Sequence, residues 1–359
     1  MSNSLVTRSS AGVNQKYMDS ISQAVLGASV AGMVAPAGYR RKALLLGACL
    51  GTLPDLDVFI DYGDAVRNFT YHRGFSHSLL VLAPLSIIIW LALRQFWPRI
   101  RESQYRWLAA IALALLTHPL LDAHTAYGTQ LLWPLEVAPT MWATIFIVDP
   151  AYTLPLLAGV LLAAIWPRKR NAILALRAGV WISCSYLAWT WVAQAIVINH
   201  ATKSLDAIGI TDAAVFSTPT PLNTLLWRVV VRTEDGYLEG FDSLVIDEGL
   251  IDFAKINSDQ KSLEDAGDVW AVARLRWFTQ DFIKTEVVND QMIIRDLRMG
   301  HSPNFVFSII VAARDGMQWH ATTSKFLPFS LGDRDIAETW ARIWRHTSKT
   351  NRHGGAAQR

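Results

Sequence analysis

The apolar positions of this chain form long unbroken blocks in the first 200 residues and short, alternating runs after them. A helix rising about 1.5 Å per residue needs roughly 20 apolar residues to cross a bilayer core. Four blocks meet or approach that length. Residues 74–93 supply 20 positions without Lys, Arg, Asp or Glu, 107–121 supply 15 with apolar flanks, 150–167 supply 18 and 178–199 supply 22. Two weaker blocks precede them. Residues 20–39 are uncharged but rich in Gly, Ala and Ser, and 43–60 are broken by Pro54 and two aspartates. These two are predicted to be short, half-inserted or packed between the others.

Beyond residue 200 the pattern changes. Residues 200–220 read as a short helix and a Ser/Thr/Pro linker. Strand-like runs follow at 225–233, 237–247, 269–278, 286–298 and 305–314, with Asp235-Gly236 and Asn289-Asp290 as turn signals. A last helix is expected from about residue 335. The predicted fold class is therefore α+β: a multi-pass helical membrane domain, then a small, mostly antiparallel β-rich polar domain. The expected boundaries are a polar tail at 1–19, the membrane domain at 20–200, a linker at 201–222, the β-rich domain at 223–345 and a flexible tail at 346–359.

Composition sharpens the division. The chain of 359 residues is 52% hydrophobic and only 18% charged, against roughly a quarter charged in soluble domains. Residues 1–200 hold 15 Lys/Arg and 9 Asp/Glu, net +6, and residues 201–359 hold 18 and 21, net −3. A net charge of +3 without a basic stripe excludes a nucleic-acid binder. The N-terminal stretch lacks the compact apolar core of a cleavable signal peptide. Cys49 and Cys184 lie in apolar blocks and read as small buried hydrophobes rather than a disulfide framework.

Basic clusters at Arg40–Lys42, at Arg94, Arg99, Arg101 and Arg106, and at Arg168–Arg170 lie between successive apolar blocks. Taking those loops as cytoplasmic gives one consistent alternation and puts the polar domain on the far side. Arg67 and Arg73 depart from the rule. The ionisable residues of the membrane half then collect at the far face: Asp55 and Asp57, His72 and His77, His118, Asp122 and His124, and Asp149. Charged groups in such places are costly and usually functional.

His118 and Asp122, four apart, project from one helix face. Pro54 favours a broken geometry that aims Asp55 and Asp57 inward. Ser76 is a candidate cap for the third block, Asp149 before Pro150 reads most simply as a helix cap, and His124 as a supporting loop residue. Trp97, Trp107, Trp133, Trp142 and Trp166 read as an interfacial belt. Imidazoles and carboxylates from several segments, with no thiolate, suit a divalent metal, Zn²⁺ ahead of Mn²⁺ or Fe²⁺. Arg73 is placed to clamp an anionic oxygen. His301 and His320 read as structural.

The runs G-T-L-P-D-L-D at 51–57, H-R-G-F-S-H-S at 72–78 and H-P-L-L-D-A at 118–123 resemble the YdjM/YbcI-like family of membrane-bound metal-dependent hydrolases. The pieces at 128–134, 149–150, 219–227, 276 and 296 extend the likeness over about residues 20–300. Met299 departs from the aromatic residue expected before its glycine. The resemblance implies a multi-pass bacterial inner-membrane protein with a metal site, distantly like that of zinc-dependent phospholipase C. It puts Asp55, Asp57, His72, His77, His118 and Asp122 at the motif positions. The reading is a hydrolase of a phosphoester or lipid-linked substrate at the outer membrane face. A metal-activated water attacks, Asp57 or Asp122 serves as general base and Arg73 stabilises charge. A His/Asp-lined cation or proton transporter and a metal-stabilised scaffold stay open beside it. The partner that composition itself demands is the lipid bilayer.

Overall fold

The structure is a computed structural model that describes residues 10–329 and 333–345; the expected tail at 346–359 lies outside the described residues. The helical half begins with α1 (Ser10–Val34) and α2 (Arg40–Thr52), and α1 starts inside the stretch expected to be a polar tail. A 3-10 helix, Pro54–Phe59, follows α2 and leads to the short α3 (Ala65–Tyr71). Then come α4 (Leu79–Phe96), α5 (Gln104–Ala123), α6 (Pro150–Ile165) and α7 (Arg170–Ala207). Among the described residues, three segments are long and apolar enough to cross a membrane: Leu79–Phe96, Pro98–Ala123 and Arg170–Ala207. α6 and the Ser20–Val34 part of α1 are shorter apolar helices.

The 13 residues of α2 give it only about 20 Å of length, and it packs between α1, α5 and α6. Glycines set that packing. A Cβ on Gly47 would stand 2.2 Å from the Gly27 carbonyl oxygen, and one on Gly51 would stand 2.5 Å from that of Gln23. Small residues let helices approach this closely, which is how helices gain van der Waals contact where the solvent is itself apolar. Leu26, Leu50, Leu82, Ile111, Leu115 and Leu156 fill the space between the helices.

All three basic clusters converge on one end of the bundle. Arg106 donates to the carbonyls of Val34 and Ala35 at the end of α1 (2.8 and 3.1 Å). Arg41 donates to Ala164 and Ile165 at the end of α6 (2.7 and 3.2 Å), and Arg40 to Pro167. Cations there satisfy the unpaired carbonyls of helix C-termini and oppose the negative end of the helix dipole. Trp107, expected in an interfacial belt, is instead buried at this end with Ala35, Ala43 and Ile100, whereas Cys49 and Cys184, expected to be buried, lie on exposed helix faces.

The 38 residues of α7 extend about 57 Å and leave the bundle. Ala193, Val197, Ala201 and Leu205 keep one apolar face at helical spacing and pack on the first sheet. Residues 201–207, expected in a linker, therefore continue the helix. That sheet has the order β1–β2–β3–β4, with β1 (Val215–Pro219), β2 (Leu226–Thr233), β3 (Gly236–Ser243) and β4 (Ala254–Asn257), all antiparallel.

Next come α8 (Gln260–Asp265) and α9 (Trp270–Thr279). Residues 269–278, expected as a strand, are thus helical. Buried Ala271, Val272, Leu275, Phe278 and Thr279 recur at helical spacing, and that period outweighs the β-forming composition. The second sheet contains β5 (Ile283–Val288), β6 (Gln291–Asp296), β9 (Ser308–Asp315) and β10 (Gln318–Phe326), in the order β10–β9–β6–β5. The strand-like run at 286–298 folds as a hairpin at its Asn289-Asp290 turn signal, where both residues take positive φ (51° and 58°). A two-stranded ribbon, β7 (Gly300–His301) and β8 (Asn304–Phe305), and α10 (Asp333–Arg342) complete the described chain.

The polar domain is seated on the bundle end opposite the basic clusters. Val66 and Phe69 of α3, with Tyr127, join Leu275, Phe278, Ile309 and Val311 in one core. Arg274 donates to the Thr70 hydroxyl at 3.1 Å. Gly47→Val forces a side chain into the Gly27 backbone, so it is expected to destabilise the detergent-solubilised protein by about 1–3 kcal/mol. Gly38→Ala, which meets nothing within 4 Å, is expected to leave the thermal unfolding midpoint unchanged. Both are read from thermal unfolding of the purified protein.

Candidate metal centre

Where α2 ends, Leu53-Pro54 turns the chain into the 3-10 helix and brings Asp55 and Asp57 to the interior. α5 carries His118 and Asp122 on one face, one turn apart. Between α3 and α4 the chain makes a tight turn in which Arg73 has φ 58°, a strained conformation for a residue with a Cβ. Asp57 holds that turn by accepting from the Arg73 backbone N–H (3.0 Å), the Ser76 hydroxyl (2.6 Å) and His72 Nδ1 (2.9 Å). His77 is thereby aimed at His118. Ser78, not Ser76, caps α4, by accepting from Leu80 N–H. Ser76 serves the site instead.

Four donor atoms face one another. His77 Nε2 and His118 Nε2 are 3.0 Å apart. Asp122 Oδ2 is 3.1 and 3.3 Å from them, and Asp55 Oδ1 is 3.5 and 3.4 Å from them. His77, His118 and Asp122 are fully buried, and Asp55 is the partly exposed member. A tetrahedral ion with bonds of 2.0–2.1 Å keeps its ligand atoms about 3.3 Å apart, and the five separations cluster around that value.

The hydrogen bonds fix which imidazole nitrogens are free. His118 Nδ1 lies 2.6 Å from the Gly51 carbonyl oxygen, which only accepts, so Nδ1 carries the proton. The Ser76 hydroxyl donates to Asp57 and so accepts from His77 Nδ1 at 2.9 Å. Both Nε2 lone pairs then point into the same space, the arrangement that orients histidines toward a metal. Asp122 Oδ1 accepts from Gln23 Nε2 at 2.7 Å and lies 3.4 Å from Arg73 Nη2, while its Oδ2 and Asp55 Oδ2 are buried without a hydrogen-bond partner. Asp55, Asp57 and Asp122 against Arg73 leave a net charge of −2 around neutral imidazoles, which one divalent cation balances. The group Asp55–His77–His118–Asp122 has the donors, spacing and charge to bind a metal ion.

The six expected ligands thus divide. Four come together, while His72 and Asp57 pair with each other beside them because three donors already occupy the Asp57 oxygens. Arg73 is buried between Asp122 and the face of Tyr127, 5.1 Å from the ring centre, and donates to Thr125 (3.0 Å). Asp149 caps α6 through the Ala151 and Tyr152 N–H groups and accepts from Tyr186, away from the cluster. His124 bonds the Leu120 carbonyl and packs on Trp142 and Trp191. His200 bonds Asp242 in the polar domain, and His301 packs on Phe241. Gln23 went unnoticed because it is uncharged, although a lone amide in an apolar block is itself a signal.

The YdjM inner membrane protein family matches residues 18–197, which include every residue of the centre. The uncharacterized protein YfhP of Bacillus subtilis is 28% identical over 156 residues, covering 42% of this chain and 46% of its own. Inner membrane protein YbcI of Escherichia coli is 36% identical over 98 residues, covering 26% of this chain and 54% of its own. The chain spans about half the length of the curated relatives it matches. No solved structure matches.

Purified protein is expected to hold about one divalent ion per chain by elemental analysis. His118→Ala or Asp122→Ala should abolish retention through gel filtration. Asp57→Asn, which loosens His77 through Ser76, should weaken affinity roughly 10–100-fold.

Proposed function

This chain belongs to the YdjM inner membrane protein family, and on that premise we propose that it is a multi-pass inner-membrane hydrolase that uses a bound divalent metal, zinc first, to cleave phosphoesters. The observation that carries the reading is the four-donor group with both imidazole lone pairs directed inward, beside a partly exposed His72 held by Asp57. In the proposed topology the basic loops are cytoplasmic, and the β-rich domain is periplasmic with the centre beneath it. The apolar helices and the family match support the inner-membrane location.

A bound divalent ion lowers the pKa of a water and polarises a phosphoryl oxygen. The chain supplies the rest. His72 donates a hydrogen bond from Nδ1 to Asp57 and keeps that proton, which leaves Nε2 free at the opening to take a proton from water and return it to the leaving alkoxide. Asp57 holds the ring in that tautomer. Arg73 offsets the Asp122 charge from inside the fold. This role replaces the anion clamp and leaves substrate charge to the metal. His77, His118 and Asp122 make the tight part of the set, and Asp55 stands at the opening, where its looser contacts leave space for water. The second reading, a metal that only braces the bundle, draws on the set being complete with four protein donors, since structural sites are closed and catalytic ones keep an open position.

Metal-loaded protein is expected to hydrolyse bis(4-nitrophenyl) phosphate, to lose that activity with a chelator and to regain it with Zn²⁺. His72→Ala should lower kcat by 10²–10⁴ with metal content unchanged. Stoichiometric metal without phosphodiester hydrolysis, or a fully active His72→Ala variant, would sink the enzymatic reading in favour of the brace.

A further inference from the structure

The approach to the metal centre is lopsided. Above it, Phe69, Tyr127 and Phe278 pack with ring centres 5.0–5.7 Å apart and close the bundle end against the polar domain. The side chains of Asp55 and His72 keep 17% and 22% of their surface open, whereas His77, His118 and Asp122 keep 1% or less. The way in is therefore beside Asp55 and His72. The residues around that opening are large and apolar. Leu56 and Phe59 follow Asp55 on the 3-10 helix, Ile60 comes just after it, and the three are 52%, 83% and 44% exposed. Phe75, Trp133 and Leu135 are exposed as well, with the Phe75 and Trp133 rings 6.2 Å apart. Soluble surfaces rarely leave so many large apolar side chains together.

Depth along the bundle says what covers them. α2 and α5 both start at the basic end, at Arg40 and Gln104. Counting 1.5 Å per residue, Asp55 and His118 stand about 20 Å from that end, inside a hydrocarbon core of about 30 Å. The collar shares the level of Asp55, and the exposed Leu80, Ile87, Ile88 and Leu91 of α4 continue its surface toward the basic end.

We infer that the collar lies in the acyl region of the bilayer and that the centre opens sideways into the membrane. Its substrate is then an amphiphile resident in the outer leaflet, whose phosphoester head reaches Asp55 and His72 between Phe59 and Phe75 while its chains stay in lipid. This rests on the hydrolase reading and narrows its substrate class from phosphoesters at large to membrane-anchored ones. A roof of packed aromatics and a lipid-covered mouth exclude bulky water-soluble substrates, and the polar domain acts as the lid that enforces sideways entry.

Two measurements test it. With Cys49 and Cys184 replaced by Ser, single cysteines at Phe59→Cys and Phe75→Cys are labelled with a fluorophore in phosphatidylethanolamine/phosphatidylglycerol vesicles. Ile88→Cys reports the lipid-facing side and Asp235→Cys the aqueous side. Positions 59 and 75 should be quenched at least threefold more by lipids brominated on the acyl chain than by iodide, as at 88. Quenching by iodide as at 235 overturns the inference. In the activity arm, Phe59→Ser should lower turnover of long-chain phosphatidylglycerol in vesicles at least tenfold more than turnover of bis(4-nitrophenyl) phosphate. Equal losses on both overturn it, as does a wild type that cleaves the soluble diester but no long-chain phosphoester. A wild type that cleaves neither, with positions 59 and 75 in lipid, removes the hydrolase reading and leaves the collar in the bilayer.

Discussion

Buried charge is the constraint on which the rest of this structure depends. Three carboxylates and a guanidinium share the end of an apolar bundle with two neutral imidazoles, and removing such groups from water costs several kcal/mol each unless they are paired and hydrogen-bonded. Most of the carboxylate oxygens are therefore either assigned a donor or aimed at the common centre, Asp55 Oδ2 being the exception. Asp57 collects three donors, Asp122 Oδ1 takes Gln23, and both imidazoles anchor their outer nitrogens. The glycines of α2 serve the same end, because the close approach at Gly51 both admits the Gln23 backbone and offers the carbonyl that orients His118. Packing and electrostatics are one problem here.

The sequence showed the helical half well because bilayer-length blocks leave little ambiguity, and the convergence of Asp55, His77, His118 and Asp122 followed from placing basic loops at one face. What it did not show was the division of labour within the cluster. Asp55 and Asp57 are two apart and alike, yet one points at the centre and the other braces a turn. That difference is created by a 3-10 helix and by donors that arrive from residues 72–76. Ser76 looked like a cap because the helix start could be placed only to within a turn. Residues 269–278 looked like a strand because Val and Trp favour strands, while the period that makes them a helix emerges once their buried face meets α3 and the second sheet.

The polar domain is tied to the bundle twice. α7 runs from one to the other without interruption, and α3 with Tyr127 enters the same core as α9 and the second sheet. The turn that carries His72 and Arg73 follows α3 directly. A shift of the sheets is thus passed to the Asp57–His72 pair through a few residues of rigid backbone, and the domain's position and the pair's geometry are set together.

The shortness of α2 has a consequence for the membrane itself. In the proposed topology its 13 residues place the polar centre roughly 10 Å short of the outer edge of an average hydrocarbon core. Lipid around that flank must dip, and head groups must descend, to meet carboxylates at that level. Such hydrophobic mismatch costs a fraction of a kcal/mol per Å of deformation. On that placement the protein carries a dimple in the bilayer with it. Bilayer thickness becomes a variable on which the centre's exposure to head groups depends, so thick, tightly ordered leaflets hold head groups away and thin, fluid ones bring them within reach.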